Sequence, residues 1–157
     1  MSFKLKNFIL KKDKEKDWIQ LFKTLKVQKV EFLPDLIKYR LEYFKFSKVI
    51  DYSMILYSDT QPMALMPIYV TPNKNKSGTF SPKNLTTPLF VSKNKKKRFQ
   101  IYAQYLDLIN IIKKKHKIKK IKFDIDCFYQ GDVEFMSFLI ENKFKIESSK
   151  TTILTQI

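Results

Sequence analysis

Apolar positions along the chain recur with two periods, and their alternation orders the elements. Between Lys14 and Leu25, the residues Trp18, Leu21, Phe22 and Leu25 fall at spacings of 3, 1 and 3, which predicts a helix with one buried stripe. Phe3, Leu5 and Phe8 predict a short strand before it. A second helix is predicted from Pro34, whose fixed φ suits a first helical turn, to about Phe46, with Asp35 at the positive end of the helix dipole. Its face carries Leu36, Ile37, Tyr39, Arg40, Tyr43 and Phe44, and is more polar than a pure core requires. Val49 to Tyr57 is rich in β-branched and aromatic residues, Ser58 to Gln61 reads as a turn, and Pro62 to Val70 returns, so a hairpin is expected. Pro67 lies within the returning arm and has no N–H for a ladder, which predicts a splay or bulge there.

Thr71 to Lys95 holds Pro72, Gly78, Pro82 and Pro88 among many Asn, Lys, Ser and Thr residues, and predicts a long irregular connection pinned down by Phe80, Leu85, Leu89, Phe90 and Val91. The strongest helical pattern follows over Lys97 to Lys115, where Phe99, Tyr102, Ala103, Leu106 and Ile109 repeat at helical spacing. Ile118 to Ile125 predicts a strand. Asp132 is the expected N-cap of a helix reaching about Asn142, with Val133, Phe135, Met136, Leu139 and Ile140 as its core face. Phe144 to Ile157 closes the chain as one long strand or a tight pair around Ser148-Ser149-Lys150. This order predicts an α/β fold with a mixed central sheet, and 157 residues suit one domain.

Composition narrows the chemistry. One cysteine and one histidine exclude a disulfide framework or a structural zinc site within the chain, and two glycines leave no Gly-rich phosphate loop. The longest apolar run, Met63 to Val70, is too short for a membrane helix. Phe8-Ile9-Leu10 is too short for a secretory signal, which together with the lone Cys127 leads us to expect a cytoplasmic protein. The net charge of +16 creates a field that attracts polyanions, yet 29 of the 31 basic residues are lysine, and an A/T-rich coding sequence would produce the same excess of Lys, Ile, Asn, Phe and Tyr. Lys95, Lys96, Lys97 and Arg98 form the candidate anion-binding cluster, because they precede a helix. Asp124 and Asp126 share a strand face, but two carboxylates make a poor metal site, so pairing with nearby lysines is expected and no metal is assigned. His116 is expected to be solvated among lysines, and Cys127 to be a small buried hydrophobe. No catalytic residue is identified.

Several segments carry a resemblance. Pro34-Asp35-Leu36-Ile37-Lys38-Tyr39, the hairpin from Tyr52 to Tyr57 continuing through Gln61-Pro62-Met63-Ala64-Leu65-Met66-Pro67-Ile68-Tyr69, Thr87-Pro88-Leu89-Phe90, Ile121 to Asp126, and Asn142-Lys143-Phe144 occur in an order that resembles GNAT-fold acyltransferases, in particular the first half of the Fem-type (peptidoglycan) aminoacyltransferases. The resemblance implies a single GNAT-like domain over residues 1–157, with a mixed central sheet and helices on both faces, matching one half of a two-fold transferase. It implies an acyl-CoA or aminoacyl-tRNA donor, a role in cell-envelope or surface-glycan biogenesis, and a second GNAT-like domain or protomer as partner. It places a candidate groove at Pro67, Ile68 and Tyr69. The chain departs from the acetyl-CoA-binding members in lacking their Gln/Arg-x-x-Gly-x-Gly/Ala loop: after Val70 it reads Thr-Pro-Asn-Lys-Asn-Lys-Ser-Gly. The alternative function is a non-enzymatic cationic domain for RNA or an acidic partner, for which Tyr39 to Lys45 interleaves aromatic and basic side chains.

Overall fold

In the computed structural model, which describes residues 8–11, 15–25, 29–72, 77–80, 84–126, 128–148 and 152–156, the helical stripes and apolar runs become four α-helices and eleven strands. The first half comprises β1 (Phe8–Lys11), α1 (Glu15–Thr24), α2 (Pro34–Tyr43), β2 (Ile50–Asp51), β3 (Met54–Ser58), β4 (Gln61–Met66) and β5 (Tyr69–Pro72). The second comprises β6 (Gly78–Phe80), β7 (Leu85–Thr86), β8 (Leu89–Phe90), α3 (Lys95–Lys115), β9 (Ile121–Ile125), α4 (Gln130–Glu141), β10 (Lys145–Ser148) and β11 (Thr152–Gln156). Phe3, Leu5 and Cys127, and the Ser149-Lys150 step, lie outside the described residues.

Helix α1 buries Trp18, Leu21 and Phe22 as its stripe requires, and carries Glu15 and Asp17 at its positive end. The Trp18 indole N–H donates to the Phe32 carbonyl at 2.7 Å, which ties α1 to the turn that delivers Pro34 to the first turn of α2.

The expected hairpin is β3 and β4, closed by a turn in which Asp59 takes φ 55°, a conformation an aspartate tolerates. Its register slips between Leu56 and Tyr57, where Pro62 faces Tyr57 and offers no N–H. The ladder breaks again at Pro67, as expected, and resumes as Ile50 opposite Val70. Across that break Tyr52 N–H donates to Ile68 C=O at 2.8 Å and Ile68 N–H donates to the Ser53 hydroxyl at 3.2 Å, so this splay is bridged locally.

Strand alternation sorts the core into two parts. Ile55, Tyr57 and Leu65 face α1, whereas Leu56, Ala64 and Met66 face a larger core with residues of α3 and α4, so helices cover both faces. Aromatic residues dominate the second part, where the Tyr102 and Phe135 rings lie 4.9 Å apart and those of Phe123 and Phe135 5.3 Å apart.

Thr71 to Lys95 departs from the irregular reading. It supplies β6, antiparallel to β5; β7, parallel to β9; and β8, antiparallel to β4. Strands of two or three residues are too short to display a period, and only the buried Leu85 and Leu89 betray them. The closing segment forms the pair β10–β11, with β11 antiparallel to β9. Instead of one mixed central sheet, the described strands form three sheets, in the orders β1-β3-β4-β8, β10-β11-β9-β7 and β2-β5-β6, and the parallel β7–β9 pairing makes the second of them mixed.

Helix α4 also corrects an expectation. Tyr129, not Asp132, occupies the N-cap, and Asp132 is the buried third helical residue. With that phase the buried stripe is Phe135, Phe138 and Leu139, while Val133 and Ile140 are exposed. His116 is not freely solvated: its ring shares a 2.7 Å hydrogen bond with the Tyr52 hydroxyl, and its carbonyl accepts from Gly78 N–H at 2.7 Å. A Cβ at Gly78 would sit 3.1 Å from the His116 Cβ, so the close approach favours glycine. Asp124 accepts from the Asn84 amide at 2.9 Å and Asp126 from Phe128 N–H at 3.0 Å. Both α3 and α4 end in Schellman motifs, with Ile118 N–H donating to Lys113 C=O and Phe144 N–H to Leu139 C=O. No helix among the described residues is long and apolar enough to cross a membrane.

Candidate functional site

Between Thr86 and Leu89 the chain changes partners. Thr86 is paired in parallel with Asp124 of β9, and Leu89, two residues beyond Thr87, is paired with Leu65 of β4. Pro88 stands in the step and has no N–H to hold either ladder. Paired strands lie about 4.8 Å apart, so a strand that leaves its neighbour opens a wedge. Here the wedge is a cleft of about 480 Å³ between the segment Thr87 to Lys93 and the start of α4 at Tyr129 to Asp132. A second cavity of about 440 Å³ shares its Phe90, Gln130 and Gly131 walls and extends to Arg98 and Glu134.

The walls have distinct chemistry. Thr87 is 2% exposed and its hydroxyl has no hydrogen-bond partner. A hydroxyl buried in that state costs about 1–3 kcal/mol. Gly131 is the barest point: a Cβ there would meet no protein atom within 4 Å. Gln130 and Gly131 are the first helical residues of α4, so their N–H groups have no acceptor within the helix and carry its positive end into the cleft.

Two ion pairs fix these walls. Lys29 Nζ donates to both Asp132 carboxylate oxygens, at 2.7 and 2.6 Å, and lies 5.1 Å from the centre of the Tyr129 ring. Asp132 also accepts from Asp126 N–H at 2.9 Å, so one buried carboxylate joins the α1–α2 connection, the end of β9 and the start of α4. On the other side, the Arg98 guanidinium makes a bidentate contact with Glu134 at 2.7 and 2.8 Å and donates to Lys93 C=O at 2.7 Å. That guanidinium holds the Glu134 carboxyl below its ordinary range. Tyr102 donates to Gly131 C=O at 3.2 Å and to Glu134 at 3.3 Å.

The structure therefore divides the candidate anion cluster. Arg98 is engaged with Glu134, while Lys95, Lys96 and Lys97 form the exposed first turn of α3, behind an Asn94 cap that accepts from Lys97 N–H at 3.2 Å. That turn has no acidic residue, so three cations stand at the positive end of a helix, where they repel one another and the dipole unless an anion joins them.

The candidate groove at Pro67, Ile68 and Tyr69 is placed differently. Ile68 is wholly buried, and Pro67 and Tyr69 line a pocket of only about 20 Å³ with Glu31, Arg40 and Asn84 to Thr86. The Tyr105 hydroxyl closes the sheet beneath it, donating to Thr86 C=O at 3.0 Å. The wide wedge opens at Pro88 rather than at Pro67. Burial pushes the Tyr69 hydroxyl up to about 12. Thr87, Gly131, Lys29 and Asp132 escaped sequence reasoning as site residues; Lys29 and Asp132 lie 103 positions apart, and nothing local marks them as partners. No group of three or more metal-ligating side chains occurs among the described residues.

No protein-family model matches the sequence, nor does any curated protein. Solved structures do match. Ard1 from Thermoplasma volcanium superposes with a TM-score of 0.61 at 11% identity, covering 96% of this chain and 97% of that one. Naa50 from Arabidopsis thaliana, solved with the bisubstrate analogue CoA-Ac-MVNAL, gives 0.63 at 11% identity over 96% of this chain and 99% of its own. The PaiA N-acetyltransferase from Thermoplasma acidophilum, solved with coenzyme A, gives 0.57 at 15% identity over 95% and 98%. The fold is that of GNAT acetyltransferases.

Proposed function

We propose that this protein is an acyltransferase that moves an acyl group from a coenzyme A thioester to an amine, with the donor held in the cleft between β8 and α4. The observation that carries this reading is the change of strand partner at Pro88, from β7 paired with β9 to β8 paired with β4, beside a cleft with an unpartnered buried hydroxyl on Thr87 and a bare wall at Gly131. These residues fit such a donor. The bare glycine admits a narrow chain, and the first turn of α3 with Lys95, Lys96 and Lys97 offers phosphates the cations that a Gly-rich loop would replace with backbone N–H groups. When bound, the thioester supplies an activated acyl carbon. The Thr87 hydroxyl and the N–H groups of Gln130 and Gly131 offer hydrogens to an oxygen that gains charge. Lys29–Asp132 and Arg98–Glu134 keep the walls at a fixed separation, so little reorganisation accompanies transfer.

The resemblance to Fem-type enzymes supports a second version with a different donor: an aminoacyl-tRNA, an envelope or surface-glycan acceptor, and a GNAT-like domain over 1–157 that works beside a second such domain or protomer. The charge of +16 suits a tRNA donor.

Thermal unfolding with acetyl-CoA, free coenzyme A or aminoacyl-tRNA tests both versions. Selective binding to the native state stabilises it by about 2.7 kcal/mol at one hundred times Kd. Acetyl-CoA is expected to raise Tm and to release free thiol when an amine is added. Thr87→Val is expected to leave the ligand-free protein at least as stable while shrinking that shift, and Lys95→Glu with Lys96→Glu to shrink it further. A shift with aminoacyl-tRNA alone selects the second version and overturns the coenzyme A donor. Absence of a shift with every donor overturns the proposal.

A further inference from the structure

Thr86 and Thr87 are neighbours in the chain, yet Thr87 lines the large cleft and Thr86 lines the small pocket beside Pro67 and Tyr69. The two chambers meet at one peptide bond. The small pocket holds about 20 Å³, which is room for one water-sized group such as an amine nitrogen. One lining residue, Thr86, has a buried hydroxyl without a hydrogen-bond partner, and Tyr69, only 8% exposed, turns its hydroxyl toward the Ser53 side chain.

The charged residues at this pocket are the informative ones. The chain has two arginines among 31 basic residues, and Arg98 is committed to Glu134. Arg40, half-buried on α2, makes no ion pair among the described residues although it lines the pocket with Glu31. Glu31 likewise has no ion pair among the described residues, so a cation and an anion border one small space without touching. A lysine would serve as well as an arginine if solubility were the only demand; a planar fork without a protein carboxylate matches a carboxylate or phosphate brought from outside.

We infer that the acceptor is an amine that carries its own anionic group, its nitrogen entering beside Glu31 and Thr86 and its carboxylate or phosphate meeting Arg40. This rests on the acyl-transfer reading above and names the acceptor class for it. The overall positive field draws acidic acceptors toward the surface, and Arg40 then orients them.

Matched probes test it: β-alanine against β-alaninamide, and phosphoethanolamine against ethanolamine. With the full chain and acetyl-CoA, the thiol-release assay should give a KM at least about tenfold lower for each acid than for its neutral partner, the usual scale of a charge-assisted contact. Arg40→Gln should close that gap, and Arg40→Lys should restore the phosphate preference better than the carboxylate one. Weak-binding NMR of the same probes, with and without coenzyme A, reads acceptor recognition even if no turnover occurs, so failure of the donor reading and failure of this one are separable. Equal binding of acid and neutral probes overturns the inference, as does an acid preference that survives Arg40→Gln. Displacement of the acid probes by a single-stranded RNA but not by excess inorganic phosphate also overturns it, in favour of a nucleic-acid surface.

Discussion

Among the described residues, four other than glycine adopt left-handed backbone angles: Lys48, Asp59, Lys117 and Lys143, at φ 52°, 55°, 50° and 68°. Lys117 and Lys143 stand at the C′ positions of the two Schellman motifs, where glycine is the usual occupant because a Cβ crowds the neighbouring carbonyl. The buried Ile118 and Phe144 that follow hold each turn in place against that strain. The lysines fit the view that the basic excess reflects coding bias as much as selected contacts. Lys117→Gly and Lys143→Gly should each stabilise the fold by about 1 kcal/mol, read as a higher urea midpoint at unchanged m-value. No change, or a loss, would show that the lysine side chains make compensating contacts.

At the scale of elements, α1 and α3 are legible because their buried stripes span at least two turns, whereas α2 buries no residue fully and is legible from Pro34, which marks its start to the residue. The hairpin break at Pro67 was legible from an imino acid in an apolar run. What escaped was set by distant partners. The strands β7 and β8 have two residues each and resemble loop, and α4 is phased one turn away from expectation because Asp132 turns inward to meet Lys29. The proline where the strands change partners is visible in the sequence, but Pro88 looks there like one more loop proline, since its effect depends on which strands flank it. The buried pair carries a prediction of its own. Lys29→Met leaves the Asp132 carboxylate, 2% exposed, without its cation, and should destabilise the protein by about 3 kcal/mol in urea unfolding. Adding Asp132→Asn should recover part of that loss, because the amide oxygen still accepts from Asp126 N–H.

At the scale of the whole molecule, several titrations combine in the dependence of stability on pH. Burial and Lys115 lower the His116 pKa below 6.5, and Arg98 lowers that of Glu134 below 4.5; in both cases the unfolded chain binds the proton more readily, so stability is present above those values and falls as the pH drops past each. Tyr69 acts in the opposite direction: its folded value of about 12 against an ordinary 10.0 gives stability that is complete below 10.0 and is lost as the pH rises toward 12. Stability should therefore show a plateau from about pH 7 to 10 with declines on both sides. His116→Asn should flatten the first acid step. A profile that still rises as the pH falls from 7 to 5 would contradict these assignments.

The switch of strand partners at Pro88 also limits how this protein can be re-engineered. Because consecutive residues of an extended segment face opposite ways, inserting or deleting one residue between Leu85 and Leu89 would invert the tract and present each chamber with the side chains meant for the other. Specificity on either side is thus open to point substitution and closed to changes of length. The spacing between the parallel and antiparallel ladders behaves as a fixed gauge, to which anything evolved or designed on this scaffold must be cut.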